Sequence, residues 1–157
     1  MTLPPVATSI DPDAAAQRVA AFFEGLTPAD LVRLCEVYSP GARFKDPFND
    51  VTGVPAIRAV FEHMYANLHD PRFVITECLA RAHGQGPQAM LVWEFQFRFK
   101  TVRPTEWQCI HGVTHLRFDA QGLVTLHRDY WDAAEELYEK LPLVGGVMRW
   151  LKRRAAQ

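Results

Sequence analysis

An α+β fold built on an antiparallel sheet is predicted by a change of period along the chain. Before residue 70, apolar residues recur at helical spacing in three segments; after it they alternate with a period of two, in four runs separated by turns. Helices gathered ahead of a strand meander point to α+β, not to alternating βαβ units.

The elements follow in order. Residues 1–12 read as a tail leading into the first helix. At Asp11-Pro12-Asp13 a carboxylate cap, a first-turn proline and a further acid open that helix. Its apolar face is Val19, Phe22, Phe23 and Leu26. Thr27-Pro28-Ala29-Asp30 is a second start, with Asp30 placed to reach back to the cap. Leu31, Leu34, Cys35 and Tyr38 supply its stripe, and Pro40-Gly41 ends it. Ala42 to Phe48 is short and extended, and residues 49–53 form a polar turn. Pro55 opens a third helix with Ile57, Val60, Phe61, Met64 and Leu68 on one face, stopping near His69-Asp70-Pro71. Strands are predicted over 73–83, 89–100, 106–118 and 123–131. The second alternates most plainly, with Leu91, Trp93, Phe95, Phe97 and Phe99 opposite Glu94, Gln96, Arg98 and Lys100. Asp132 opens a last helix in which Glu136 and Lys140 stand one turn apart, and Pro142 breaks it.

The chain of 157 residues reads as a core domain over 13–140 followed by a segment, 141–157, that is basic and amphipathic. A formal net charge of -1 gives no electrostatic footprint for nucleic acid. Three cysteines far apart in sequence argue against a disulfide framework or a Cys-x-x-Cys site, so a cytoplasmic location is the default. No run reaches the length of a membrane span, and the N-terminus lacks a signal-peptide pattern. No phosphate loop, dinucleotide fingerprint or Gly-x-Ser-x-Gly is present, and no cofactor is expected.

Three segments together resemble the nuclear transport factor 2-like superfamily, in particular its ketosteroid isomerase-like and polyketide cyclase-like members. They are Tyr38-Ser39-Pro40-Gly41-Ala42-Arg43-Phe44-Lys45-Asp46-Pro47, then Gly53-Val54-Pro55-Ala56-Ile57-Arg58, then His115-Leu116-Arg117-Phe118 with the turn Asp119 to Gly122. The resemblance spans roughly residues 13–131 and implies a cone-shaped curved antiparallel sheet, or cone-shaped barrel, wrapped by N-terminal helices around an apolar pocket. It implies a small lipophilic ligand and a homodimer that pairs outer sheet faces. In the isomerases the aspartate of the Asp-Pro step is the general base, which corresponds to Asp46. The two positions that donate protons to the enolate fall on Phe22 and Thr114, so that donor pair is absent. The last strand carries His127, Asp129 and Trp131 on the pocket side instead.

The candidate catalytic residues are therefore Asp46, His127 and Asp129. The expected ligand wall is Phe22, Tyr38, Phe61 and Thr114, with Trp93, Phe95, Phe97 and Trp131. Each has a plainer reading. Asp46 can be a turn aspartate bonded to its own backbone. His127 and Asp129 can be a structural ion pair, and the aromatic stripe can be core. His111 and His115 stand about 13 Å apart on a strand, too far to share a zinc ion, and no metal is expected. The function is read as proton transfer on an apolar substrate, as in an isomerase, dehydratase or cyclase; the alternative is a ligand-binding or interaction module without turnover. For residues 141–157 two roles stay open: packing on the domain or a partner, and weak contact with an anionic membrane surface.

Overall fold

The computed structural model describes residues 10–137 apart from 83 and 85, together with 150 and 153–155. Its first helix, α1 (Pro12–Glu24), is capped by Asp11, whose carboxylate accepts from the Asp13 N–H. A 3₁₀ helix, Pro28–Glu36, follows. Here the Thr27 N–H and O–H both donate to Asp30 Oδ2, at 3.0 and 2.6 Å. The α-helical stripe expected for this segment is replaced by a period of three: Leu31, Leu34 and Val37 are buried while Cys35 is exposed. Three residues per turn align i, i+3 and i+6, which accounts for the change.

Tyr38, expected on that helix, instead starts strand β1 (Tyr38–Lys45), and Pro40-Gly41 lie within the strand. They occupy a register shift between Tyr38 and Arg43, where the ladder makes no demand on a proline nitrogen. Strand β2 (Asp50–Thr52) takes the place of the polar turn. Helix α2 (Val54–Asn67) runs straight into β3 (Leu68–Ala82). The signals at Asp70-Pro71 therefore mark an irregularity in a strand and not the end of a helix. Asp70 has φ 50, and the pairing slips between His69 and Arg72. Strands β4 (Pro87–Phe99), β5 (Gln108–Phe118) and β6 (Val124–Tyr130) complete the meander, and a short helix, α3 (Ala133–Glu136), follows. The Glu136–Lys140 pairing and nearly all of 141–157 fall outside the described residues.

The strands lie in the order β2-β1-β6-β5-β4-β3. All neighbours are antiparallel except β1 and β6, which run parallel. That pair departs from the expected antiparallel pattern because α2 and four strands intervene between its members, so no hairpin joins them. The curved sheet is open, with β2 and β3 at its edges, so the expected cone-shaped sheet is present but does not close into a barrel. Helix α1 packs chiefly on β3 and β4. Along β5 the inward residues Ile110, Thr114 and Leu116 are buried, whereas His111 and His115 face outward. Full burial of side chains such as Leu34, Ile57 and Leu116 stabilises the fold by about 1.5–3 kcal/mol each.

Candidate functional site

The concave side of the sheet encloses a cavity of about 260 Å³. The β1–β2 turn, the last turns of α2 and the inner faces of β3 to β6 surround it. Phe73 stacks on Phe95 with ring centroids 4.5 Å apart, and Phe95, Phe97 and Phe99 continue the wall at 5.0 and 5.1 Å. Period-two alternation in β4 places these rings together. Phe61 and Phe44 close the opposite side, and Trp131 meets Phe48 edge-on at 5.4 Å.

Behind this wall a hydrogen-bonded chain crosses four strands, β4, β5, β6 and β1. The Trp93 indole N–H donates to Thr114 Oγ1 at 2.8 Å, and the Thr114 hydroxyl donates to Asp129 Oδ1. His127 Nε2 lies 2.9 Å from the same oxygen, and His127 Nδ1 lies 2.7 Å from the Tyr38 hydroxyl. Strand pairing brings these residues together: Thr114 is opposite Asp129, and His127 is two residues away on the same face. Tyr38 is fully enclosed, and burial, helped by the Asp129 charge, holds its phenol well above the usual tyrosine value. Among the described residues the buried O–H has one hydrogen-bond partner, His127 Nδ1, so it donates there. The imidazole is then the Nε2–H tautomer and donates to Asp129. Asp129 Oδ1 receives two donors, while no hydrogen bond among the described residues reaches Oδ2.

The Asp129 side chain is 15% exposed and lines the cavity. It also borders an inner space of about 20 Å³ beside Thr114 and His127, the volume of a single water site. His127, with both ring nitrogens engaged, touches this inner space and not the main cavity. Its ring is held edge-on by Phe23, with centroids 5.5 Å apart, and lies over Phe44 at 4.7 Å.

Asp46 also lines the main cavity, but its carboxylate serves its own turn. Oδ1 accepts from the backbone N–H groups of Phe48 and Asn49 at 2.7 and 2.6 Å, and the Asn49 side-chain amide donates to both oxygens. No contact between Asp46 and the His127–Asp129 pair occurs among the described hydrogen bonds.

Of the residues read from the sequence, Asp46, Asp129, Phe61, Trp93, Phe95, Phe97 and Trp131 line one cavity. Thr114 and His127 stand one layer deeper, and Tyr38 lies deeper still. Phe22 lies elsewhere, in an outer groove between α1 and the 3₁₀ helix. Its neighbour Phe23 takes the inward position. Phe44 and Phe73 belong to the wall and were missed, although both sit on inward strand positions. Gly112 was also missed. It pairs with Trp93 across β4 and β5, and a Cβ there would stand 2.3 Å from the indole ring. A bare α-carbon is what lets Trp93 lie flat enough to reach Thr114. Among the described residues no group of histidine, cysteine or acidic side chains has the geometry of a metal site.

An open curved sheet with helices over its concave face defines the nuclear transport factor 2-like class. Within that class the chain belongs to the SnoaL-like domain family, whose model matches residues 19–127. No curated relative matches the chain. Among solved structures, a nuclear transport factor 2-like protein of unknown function from Burkholderia pseudomallei is similar, at 16% identity and a TM-score of 0.63 over 80% of this chain and 95% of that one. A Pseudomonas putida protein assigned as a polyketide cyclase has 12% identity and a TM-score of 0.63, over 85% and 100%. A protein with a ketosteroid isomerase-like fold from Catenulispora acidiphila, solved in complex with trimethylamine, has 19% identity and a TM-score of 0.61, over 83% and 92%. At these identities the likeness is one of fold.

Proposed function

We propose that the protein is a small acid–base enzyme acting on a compact, largely apolar molecule held in the aromatic cavity, with Asp129 as the proton-transferring group. The observation that carries this reading is the arrangement of Asp129 in a largely apolar wall: one oxygen is locked by Thr114 and His127, and no hydrogen bond among the described residues reaches the other. A carboxylate so placed is oriented without being neutralised, which is what a general base requires. His127 and Tyr38 are positioning residues that act through it. Asp46 enters as the second carboxylate of the wall, anchored by its turn. Isomerisation, dehydration and cyclisation all need proton transfer of this kind. A cavity of about 260 Å³ suits a substrate at the small end of the usual ligand range.

A second reading, a binding module without turnover, draws on the donor count. The indole of Trp93 and the amides of Asn49 and Asn67 already donate within the protein, leaving few donors for a developing oxyanion. Turnover of a panel of lipophilic ketones, epoxides and alcohols separates the two. Under the enzyme reading Asp129→Asn lowers kcat by about 10²–10⁴-fold with the fold intact. An activity in the wild type that survives Asp129→Asn unchanged removes Asp129 from this role.

The assembly proposed is a homodimer formed by the outer sheet face, where Leu79, Met90, Trp107 and Tyr130 are exposed large apolar side chains. Sedimentation showing only monomer at micromolar concentration contradicts it. Cys35, Cys78 and Cys109 form no disulfide, which fits a reducing cytoplasm. No described helix is long and apolar enough to cross a membrane. The proposal for 141–157 remains packing on the domain or its partner, against which lipid contact is tested by flotation with anionic liposomes.

A further inference from the structure

The geometry points to a positively charged ligand: the cavity is built to receive a small protonated or quaternary ammonium group, seated against aromatic faces with Asp129 Oδ2 as its counter-ion. This deepens the proposed function by naming the charge of the substrate, and it rests on that reading only for the location of the site.

The argument is one of complementarity. Two charged side chains line the cavity, Asp46 and Asp129, and both are carboxylates. Among the described lining residues there is no lysine or arginine. Nine of the lining residues are aromatic, and the face of each ring carries the negative part of its quadrupole. The donors are mostly spent. Trp93 gives its N–H to Thr114, Asn49 gives its amide to Asp46, and Asn67 gives its amide to the His63 carbonyl. The Trp131 indole and the exposed His63 ring keep what donor capacity remains. Among the described hydrogen bonds none reaches Asp129 Oδ2, and Asp129 lines this largely aromatic cavity.

A carboxylate in such surroundings is costly unless it meets a cation or a proton donor. An anionic ligand, such as a carboxylate or a phosphate, meets like charge from Asp46 and Asp129 and finds no lysine or arginine among the described lining, only the exposed imidazole of His63. A neutral ketone finds acceptors where it needs donors. An ammonium group meets both a counter-ion and ring faces, the combination that binds quaternary ammonium groups in aromatic cages. Choline-sized groups fit easily within about 260 Å³.

The test compares choline with its neutral isostere 3,3-dimethyl-1-butanol on the full chain, read by tryptophan fluorescence, since Trp93 and Trp131 line the cavity. Choline is expected to bind about tenfold more tightly than the alcohol. In Asp129→Asn, checked by circular dichroism for an unchanged fold, the preference is expected to vanish. In Val60→Lys, which sets a cation in the same lining, choline binding is expected to weaken while the alcohol is less affected. Equal or tighter binding of the alcohol, or no saturable binding of either, overturns the proposal. Because no turnover is measured, that failure leaves the role of Asp129 in proton transfer standing. Conversely, a choline preference with no activity in any assay upholds the ligand class and removes the enzyme reading.

Discussion

Asp46 and Asp129 line the same cavity, yet they are held in opposite ways. The Asp46 carboxylate is saturated by groups within three residues of it: two backbone N–H groups and the Asn49 amide. Asp129 is held by Thr114, fifteen residues distant, and by His127, which is itself held by Tyr38, eighty-nine residues distant from it. The first arrangement is a local turn that any chain with Asp-Pro-x-Asn can form. The second exists only when β1, β5 and β6 are assembled. A carboxylate committed to its own turn has little left for a ligand, whereas one fixed through a single oxygen presents the other.

Removing each carboxylate sharpens the contrast. Asp129→Ala leaves the Thr114 hydroxyl and the His127 Nε2–H buried without an acceptor, and is expected to cost about 3 kcal/mol. Asp46→Ala frees N–H groups that solvent can partly reach, and is expected to cost about 1 kcal/mol. Urea unfolding of both variants checks the order; equal costs would mean that the buried chain is no more tightly coupled than a surface turn.

Gly112→Ala attacks the chain from its other end. The new Cβ collides with the Trp93 ring, so the indole shifts and its bond to Thr114 is lost. Overpacking of this kind costs about 1–3 kcal/mol. The expected readout is a lower thermal midpoint together with a change in tryptophan emission. An unchanged spectrum would show that Trp93 is not held in the orientation seen here.

The buried end of the chain also predicts a pH dependence. The Tyr38 phenol stays protonated in the fold well above pH 10, whereas in the unfolded chain it ionises near 10. Above that pH the unfolded state binds fewer protons than the folded state, so stability is fully present below about pH 10 and declines as pH rises. Tyr65, pushed up to about 12 chiefly by burial, adds to the same slope. Urea titrations between pH 9 and 11.5 are expected to show this decline, and Tyr38→Phe is expected to make it shallower. An identical slope in the variant would place the Tyr38 hydroxyl in contact with water.

The smallest effect belongs to the exposed hairpin beside Asp46. The Arg43 guanidinium, with help from Lys45, lowers the Asp50 carboxyl from the usual value to about 2. Its contribution is present at neutral pH and is lost as pH falls from about 4 through about 2. Protection of the β2 amides, taken relative to their intrinsic exchange rates, is expected to fall over that window, and the fall is expected to disappear in Asp50→Asn. High salt is expected to weaken the effect, because the pair is open to solvent.

Much of this was legible in the residue order. The capped start of α1, the alternation of β4 and the placing of His127 and Asp129 on one face of β6 all follow from periodicity and short-range capping, which depend on neighbours in sequence. The Asx turn at Asp46 was equally legible as one of its two readings. What the sequence left open was settled by contacts between distant segments. The 3₁₀ form of 28–36, the inclusion of Pro40-Gly41 in a strand and the parallel seam between β1 and β6 arise from packing, which overrides local signals when enough apolar surface is buried. The exchange of Phe22 for Phe23 has the same origin, since the rotation of a helix is set by what it packs on. The partner of the Tyr38 hydroxyl could not be read from order at all. A buried donor must find an acceptor, and only the assembled sheet decided that the acceptor is His127 and that Asp129, held through one oxygen, lines the cavity.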